Sequence, residues 1–405
     1  MSRHSPFLSH RGPRRTSVAT LPTYFTDFLA GIRPTPSQLS GMASGHQTLR
    51  DRLNDFESLQ SILVSDFLQG SYRRSTAIRP AGSKRSDVDI IVVTNLSEAQ
   101  YPDPDDAMAL FIPFMDKFYP DKWELQGRSF GIELTHVSLD VVITSAPSEA
   151  QTTALHSQSV RVIDELADLS DWRLTKSWLP LELRAAGTER LMLKAAAEAE
   201  WKLEPLRIPD RDAGTWEDTH PLEQIRWTHA KNASCNTHYV NVVKAIKWWR
   251  RVKRPDPKYP KGYPVEHLIG YGCPDSITSV ADGVTRALEK IRDDFATDAL
   301  LERTPFLPNH GLPNDNVLER ISGADFKAFH GHVSEAASLA RKALDEEDKK
   351  KSVGHWRELF GDKFPEWRGG SSNSSGSGGG AGGIGAAKSY SDRNGPSDPG
   401  RGRFG

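Results

Sequence analysis

The chain has 405 residues, 37% hydrophobic and 26% charged, and its 52 basic and 53 acidic side chains leave a net charge of −1. That profile suits a globular protein of two or three domains and excludes a strongly basic protein that coats nucleic acid, so a polyanionic ligand must be held by a local cluster or a metal. Two cysteines, Cys235 and Cys273, are too few for a disulfide framework or a Cys-rich zinc site and fit a reducing, cytoplasmic setting.

Residues 1–34 read as an N-terminal extension, partly disordered, in which only "YFTDFLAGI" looks ordered. The segment is basic without the apolar core of a secretory signal, and no stretch of the chain approaches the ~20 apolar residues that span a bilayer. "TPSQLSGMASGHQTLRDRLNDFESLQSILVSDF" predicts a long spine helix, capped by Ser37, with Leu49, Leu53, Phe56 and Leu59 at helical spacing. It opens a core predicted to run over 35–186. "AMALFIPFMDKFY" predicts a helix, and "WELQGRSFGIEL" with "HVSLDVVIT" a strand pair. Residues 187–368 read as mostly helical, with the best run in "HPLEQIRWTHAKNASCNTHYVNVVKAIKWWRRV" and further helices at "ITSVADGVTRALEKIRDDFA" and "GADFKAFHGHVSEAASLARKALDEED". From 369 to 405 the Gly/Ser-rich composition cannot bury enough apolar surface to fold and predicts a disordered tail.

Chemistry concentrates in "GSYRRSTAIRPAGSKRSDVDIIVV" and "VSLDVVIT". Asp87 and Asp89 stand i and i+2 at the mouth of an apolar strand, so both side chains project to one face. Asp140 interrupts a second apolar strand. Isolated carboxylates in such places neutralise, pair or bind a metal. Three on adjacent strands suit two divalent cations ~3.5–4 Å apart, the arrangement of phosphoryl transfer, and hard oxygen ligands select Mg²⁺. Gly70 allows close backbone approach, and Ser71 offers a hydroxyl and an amide to a phosphate oxygen. Arg73, Arg74, Arg79, Lys84 and Arg85 decorate the intervening loop and read mostly as a solvated charge run. Asn232, Asn236 and His220 read as caps or core hydrogen-bonders rather than base readers.

Together these motifs resemble the nucleotidyltransferase superfamily that includes polymerase beta and, within it, the bacterial cGAS/DncV-like enzymes of antiphage (CBASS) operons, over roughly residues 35–368. The resemblance implies an α+β fold, a mixed-sheet nucleotidyltransferase core packed on a helical domain with the site in the cleft between them. It implies NTP substrates, two Mg²⁺ ions at Asp87, Asp89 and Asp140, and a cyclic oligonucleotide product sensed by a downstream effector. "VVKAIKWWRR" followed by "KGYPVEHLIG" resembles the lysine helix and following helix of cGAS and oligoadenylate synthases. That match implies Lys247 as the donor-triphosphate ligand, Lys244 as a weaker candidate, and Gly262 where cGAS has a phosphate-binding serine. There is no Cys/His zinc thumb, which disfavours activation by double-stranded DNA. CBASS operons of one type encode an E1/E2-like enzyme that ligates the synthase's last residue, which implies Gly405 as a conjugation site. Linear nucleotidyl transfer to RNA or protein, and a non-catalytic nucleotide-binding scaffold, are the alternatives.

Overall fold

In the computed structural model, which describes residues 19–80, 82, 84–146, 204–253, 260 and 262–369, a mixed sheet carries the motifs just singled out. Strand β1 (Leu63–Gln69) runs antiparallel to β2 (Ser86–Thr94), and β2 runs parallel to β5 (Val137–Ser145). Beyond β5 the sheet continues through β4 (Phe130–Glu133) to β3 (Trp123–Leu125). Strand β6 (Leu206–Asp210) joins β5 by one bridge, Ser145 to Arg207, and pairs along its length with β7 (Thr215–Thr219).

Alternation along β2 and β5 divides the apolar side chains between two faces. Val88, Ile90, Val92, Leu139, Val141 and Ile143 pack on Met42, Leu49 and Leu53 of helix α2 (Pro36–Asp55) and on Phe111, Phe114 and Met115 around α6 (Ile112–Phe118). On the other face Val64, Phe67, Ile91 and Val93 form a smaller cluster with Leu206 and Leu222. Asp87, Asp89 and Asp140 share this second face, beyond the edge of its apolar cover.

Several boundaries differ from the sequence expectation. The spine helix stops at Asp55, a short turn α3 (Glu57–Gln60) follows, and "LVSDFLQ" is β1 rather than helix. Its cap is Thr35, not Ser37: the Thr35 hydroxyl accepts from the Gln38 amide while the Gln38 side chain accepts from the Thr35 amide, a reciprocal box with Pro36 at the first helical position. "AMALFIPFMDKFY" holds two helices, α5 (Pro104–Ala109) and α6. Residues 206–219, placed by sequence in the helical half, are strands of the sheet.

Helices α7 (Pro221–Ser234), α8 (Tyr239–Lys253), α9 (Tyr263–Gly272), α10 (Val280–Asp294), α11 (Ala296–Leu300), α12 (Gly323–Asp345) and α13 (Lys349–Phe360) build the helical half around one core. The first helix, α1 (Pro22–Ile32), belongs to that core rather than to an appendage: Phe28 stacks on Phe360 at 4.5 Å, and Phe25 meets Trp356 edge-on at 5.0 Å. The chain divides after Trp367. The expected domain boundary at 186/187 and nearly all of the tail, Gly405 included, lie outside the described residues.

Candidate active site

Strand register brings the three aspartates together. Asp89 is the parallel partner of Asp140, and Asp87 precedes Asp89 by two residues on the same face. One carboxylate oxygen from each lies within 4.8 Å of the other two. None of the three makes an ion pair with a cation among the described residues. Burial, then the charges of Asp89, Asp140 and Glu133, push the Asp87 carboxyl up to about 8. Burial, then Asp89 with Glu124 and Glu133, push Asp140 up to about 6. Asp89 is also raised, chiefly by burial, against the opposing pull of Arg74 and Lys247. Three acids crowded until they resist ionisation form a donor set that gains from a divalent cation, because the cation removes the repulsion that raises them.

Gly70 closes the site from β1. Gln69, its neighbour, is the register partner of Asp89, and Gly70 itself has φ +71°. A Cβ there would overlap the Asp89 carboxylate, so glycine is required both by conformation and by space. The half-buried Ser71 lies in the single helical turn α4 (Gly70–Arg73), which opens the loop that follows. Its carbonyl accepts from the amides of Thr76 (2.8 Å) and Ala77 (3.0 Å), which folds residues 71–77 into a compact turn against the helical half.

The lysines of α8 have different surroundings. The Lys247 Nζ reaches the Thr76 carbonyl at 3.1 Å and the Glu266 carboxylate at 3.5 Å, so it is not a solvated helix lysine. Burial lowers its pKa, with Arg74 and Arg251 adding to the effect and Glu266 opposing it. Lys244 is buried one turn earlier, held down to about 7 by burial and then by the charges of Arg33 and Lys247. Gly262 adopts φ +61° at the start of α9, where no hydroxyl is available.

Two buried residues beside the triad, Arg74 and Glu266, escaped the sequence reading. Arg73 and Arg74 are each 3% exposed, against the expectation of a solvated run. The Arg74 Nε donates to Glu266 Oε1 at 2.7 Å, and its guanidinium lies over the Tyr263 ring at 5.1 Å. Glu266, in α9, also accepts from the Thr76 hydroxyl at 2.8 Å. The available signal was one carboxylate in the otherwise apolar helix "YPVEHLIG". Lys84 and Arg85 are exposed, and Arg85 pairs with Glu133. Asn232 accepts from the Val240 amide, Asn236 donates to the Ile277 carbonyl, and the His220 ring caps α7, so these three hold backbone.

Comparison with known proteins decides the family. Residues 20–155 match the Second Messenger Oligonucleotide or Dinucleotide Synthetase domain. A cyclic AMP-AMP-GMP synthase of Enterobacter hormaechei subsp. hoffmannii is 48% identical over 84% of this chain and 91% of its own length. The chain belongs to the cyclic oligonucleotide synthases. As a member of that family of cGAS/DncV-like nucleotidyltransferases it is an enzyme, and the α+β fold agrees. A cyclic AMP-AMP-AMP synthase of an Acinetobacter species is 29% identical over 86% of both chains. Among solved structures, a Bradyrhizobium diazoefficiens CD-NTase in complex with GTP aligns with TM-score 0.59 at 11% identity, covering 84% of this chain and 96% of its own. The Vibrio cholerae cyclic AMP-GMP synthase holding a linear intermediate aligns at 0.56 and 11%, covering 86% and 97%. No helix among the described residues is long and apolar enough to cross a membrane.

Proposed function

We propose that this synthase joins ATP and GTP into a cyclic trinucleotide of the AMP-AMP-GMP type, as a second messenger of antiphage defence read by a downstream effector. The observation that carries the base choice is the 48% identity, over most of both chains, to synthases named for that product, against 29% to the AMP-AMP-AMP synthase.

Asp87, Asp89 and Asp140 would hold two Mg²⁺ ions. These supply charge neutralisation for the triphosphate and leaving pyrophosphate and make the attacking ribose hydroxyl more acidic. The chain's own groups do the rest. Gly70, lacking a side chain, lets the triphosphate come close to Asp89, and Ser71 offers its hydroxyl to a phosphate oxygen. Lys247 contributes positive charge to the donor triphosphate from the helical half, with Lys244 one turn behind it. Asp140 receives the proton of the ribose hydroxyl. In each transfer the hydroxyl oxygen bonds to the α-phosphorus, the bond from that phosphorus to its bridging oxygen breaks, and pyrophosphate leaves. The third transfer closes the ring.

Incubation with labelled ATP and GTP and Mg²⁺, followed by phosphatase and mass analysis, tests this reading. One phosphatase-resistant product with two AMP and one GMP is expected. A phosphatase-sensitive ladder, or a product lacking GMP, contradicts it. The assignment of Gly405 to an E1/E2-like conjugating enzyme rests on the resemblance to CBASS synthases whose operons encode such an enzyme, together with the Gly/Ser composition of 369–405. Deleting the last residues should abolish covalent adducts with such a partner and ATP while leaving synthesis intact. Adducts on the truncated chain would contradict it.

A further inference from the structure

Glu266 is a buried carboxylate holding three donors at once: Arg74 Nε at 2.7 Å, the Thr76 hydroxyl at 2.8 Å and Lys247 Nζ at 3.5 Å. Arg74 and Thr76 come from the loop after β1, whereas Lys247 and Glu266 come from α8 and α9, so one side chain ties both halves together beside the triad. Burial alone would raise its pKa, but the charges of Arg74 and Lys247 hold it at about 2, fully ionised. Other charged and titratable groups facing this cluster are Asp89 from β2, Tyr239, Lys244 and Arg251 from α8, Tyr263 and His267 from α9, and His310. Arg251 is turned aside to donate to the Arg79 carbonyl.

The arrangement is poor as a stability device. Two cations share one carboxylate, and the Arg74 Nη1 is left buried with no hydrogen-bond partner among the described residues. The trio keeps a net positive charge that bears on Asp89, yet neither cation comes within ion-pair distance of it among the described residues.

We propose that Glu266 is a positioning residue that takes up Arg74 and Lys247 so that neither closes onto Asp89, keeping that carboxylate open to a divalent cation. The proposal rests on the reading of Asp87, Asp89 and Asp140 as metal ligands. Without the Glu266 charge the two nearest cations have one carboxylate left to pair with, Asp89, and a dication must then displace them.

The test is Mn²⁺ binding to the full chain without nucleotide, followed by the electron paramagnetic resonance signal of free Mn²⁺. Affinity is read from the folded fraction, so a purely structural contribution of Glu266 changes the amount of sites and not their affinity. Asp87→Asn with Asp89→Asn should lose the site. If that variant binds Mn²⁺ as the parent does, the triad reading fails and takes this proposal with it. Once the site is so established, Glu266→Gln should bind Mn²⁺ about tenfold more weakly than the parent, and Glu266→Gln with Arg74→Gln more tightly than Glu266→Gln alone. Unchanged affinity in Glu266→Gln, or no recovery in the double variant, overturns the proposal and leaves the triad reading standing. Should Glu266→Gln not fold, Glu266→Asp decides: it keeps the charge but withdraws it by one methylene, and about threefold weaker binding is expected. Parental affinity in that variant overturns the proposal.

Discussion

Two carboxylate clusters lie side by side in this enzyme, one buried around Glu266 and one partly open to solvent at Asp87, Asp89 and Asp140, and they handle negative charge in opposite ways. Around Glu266 the negative charge is matched within the protein, and the carboxyl stays ionised down to about pH 2. At Asp87, Asp89 and Asp140 no cation forms an ion pair among the described residues, and the Asp87 and Asp140 carboxyls climb to about 8 and about 6. Matched burial ties the two halves together. Unmatched charge marks the place where, on the proposed function, positive charge would arrive from outside with metal and nucleotide.

The sharpest way to break that contrast is to remove the unmatched charge. Asp87→Asn with Asp89→Asn should lower turnover at least about a thousandfold, because positioning of the triphosphate and activation of the hydroxyl are lost together. The melting temperature of the metal-free chain should hold or rise, since repulsion is relieved. Product formation and thermal melting measured on one preparation check both halves. Gly70→Ala should follow, with a loss of about a hundredfold or more, because the new methyl displaces the Asp89 carboxylate and strains a residue at positive φ. Parental activity in Gly70→Ala would show that Asp89 need not sit where the structure puts it.

How much of this was legible in the sequence depends on distance along the chain. Asp140 and the Asp87–Asp89 pair announce themselves because charges interrupt strands made mostly of Val, Ile and Leu. Gly70 is legible only once those strands are recognised, since its reason is the Asp89 carboxylate across the register. Arg74 was not legible: "YRRSTAIR" offers three arginines, and which one turns inward is decided by Glu266, 192 residues later. Strand β1 was hidden because "SLQSILVSDF" prolongs the helical spacing of Leu residues, although its β-branched run favours a strand. β6 and β7 were missed because they are short and pair chiefly with each other.

A smaller effect sharpens the comparison through pH. Asp87 and Asp140 titrate higher in the folded metal-free chain than when unfolded, so folding takes up protons. The stability they contribute is present below about pH 4 and is lost as pH rises through about 6 and then about 8. The melting temperature in chelator should therefore carry a downward component over that range, which Mg²⁺ offsets and Asp87→Asn with Asp89→Asn reduces, leaving the smaller part that burial imposes on Asp140. Parallel pH series of melting curves on both proteins isolate it; identical slopes would contradict the assignment. On the matched side, helix α1 is part of the helical core, and Phe28→Ala should cost about 3–5 kcal/mol by denaturant unfolding with little change in Mn²⁺ affinity. A loss below 1 kcal/mol would return α1 to the status of an appendage.

The central claim is that three unmatched carboxylates are a site for two divalent cations. Counting Mn²⁺ ions bound per chain in the presence of a non-hydrolysable ATP analogue tests it most directly. The account predicts two ions on the parent protein and none in the Asp87, Asp89 and Asp140 triple Asn variant. The same count in both proteins would contradict it.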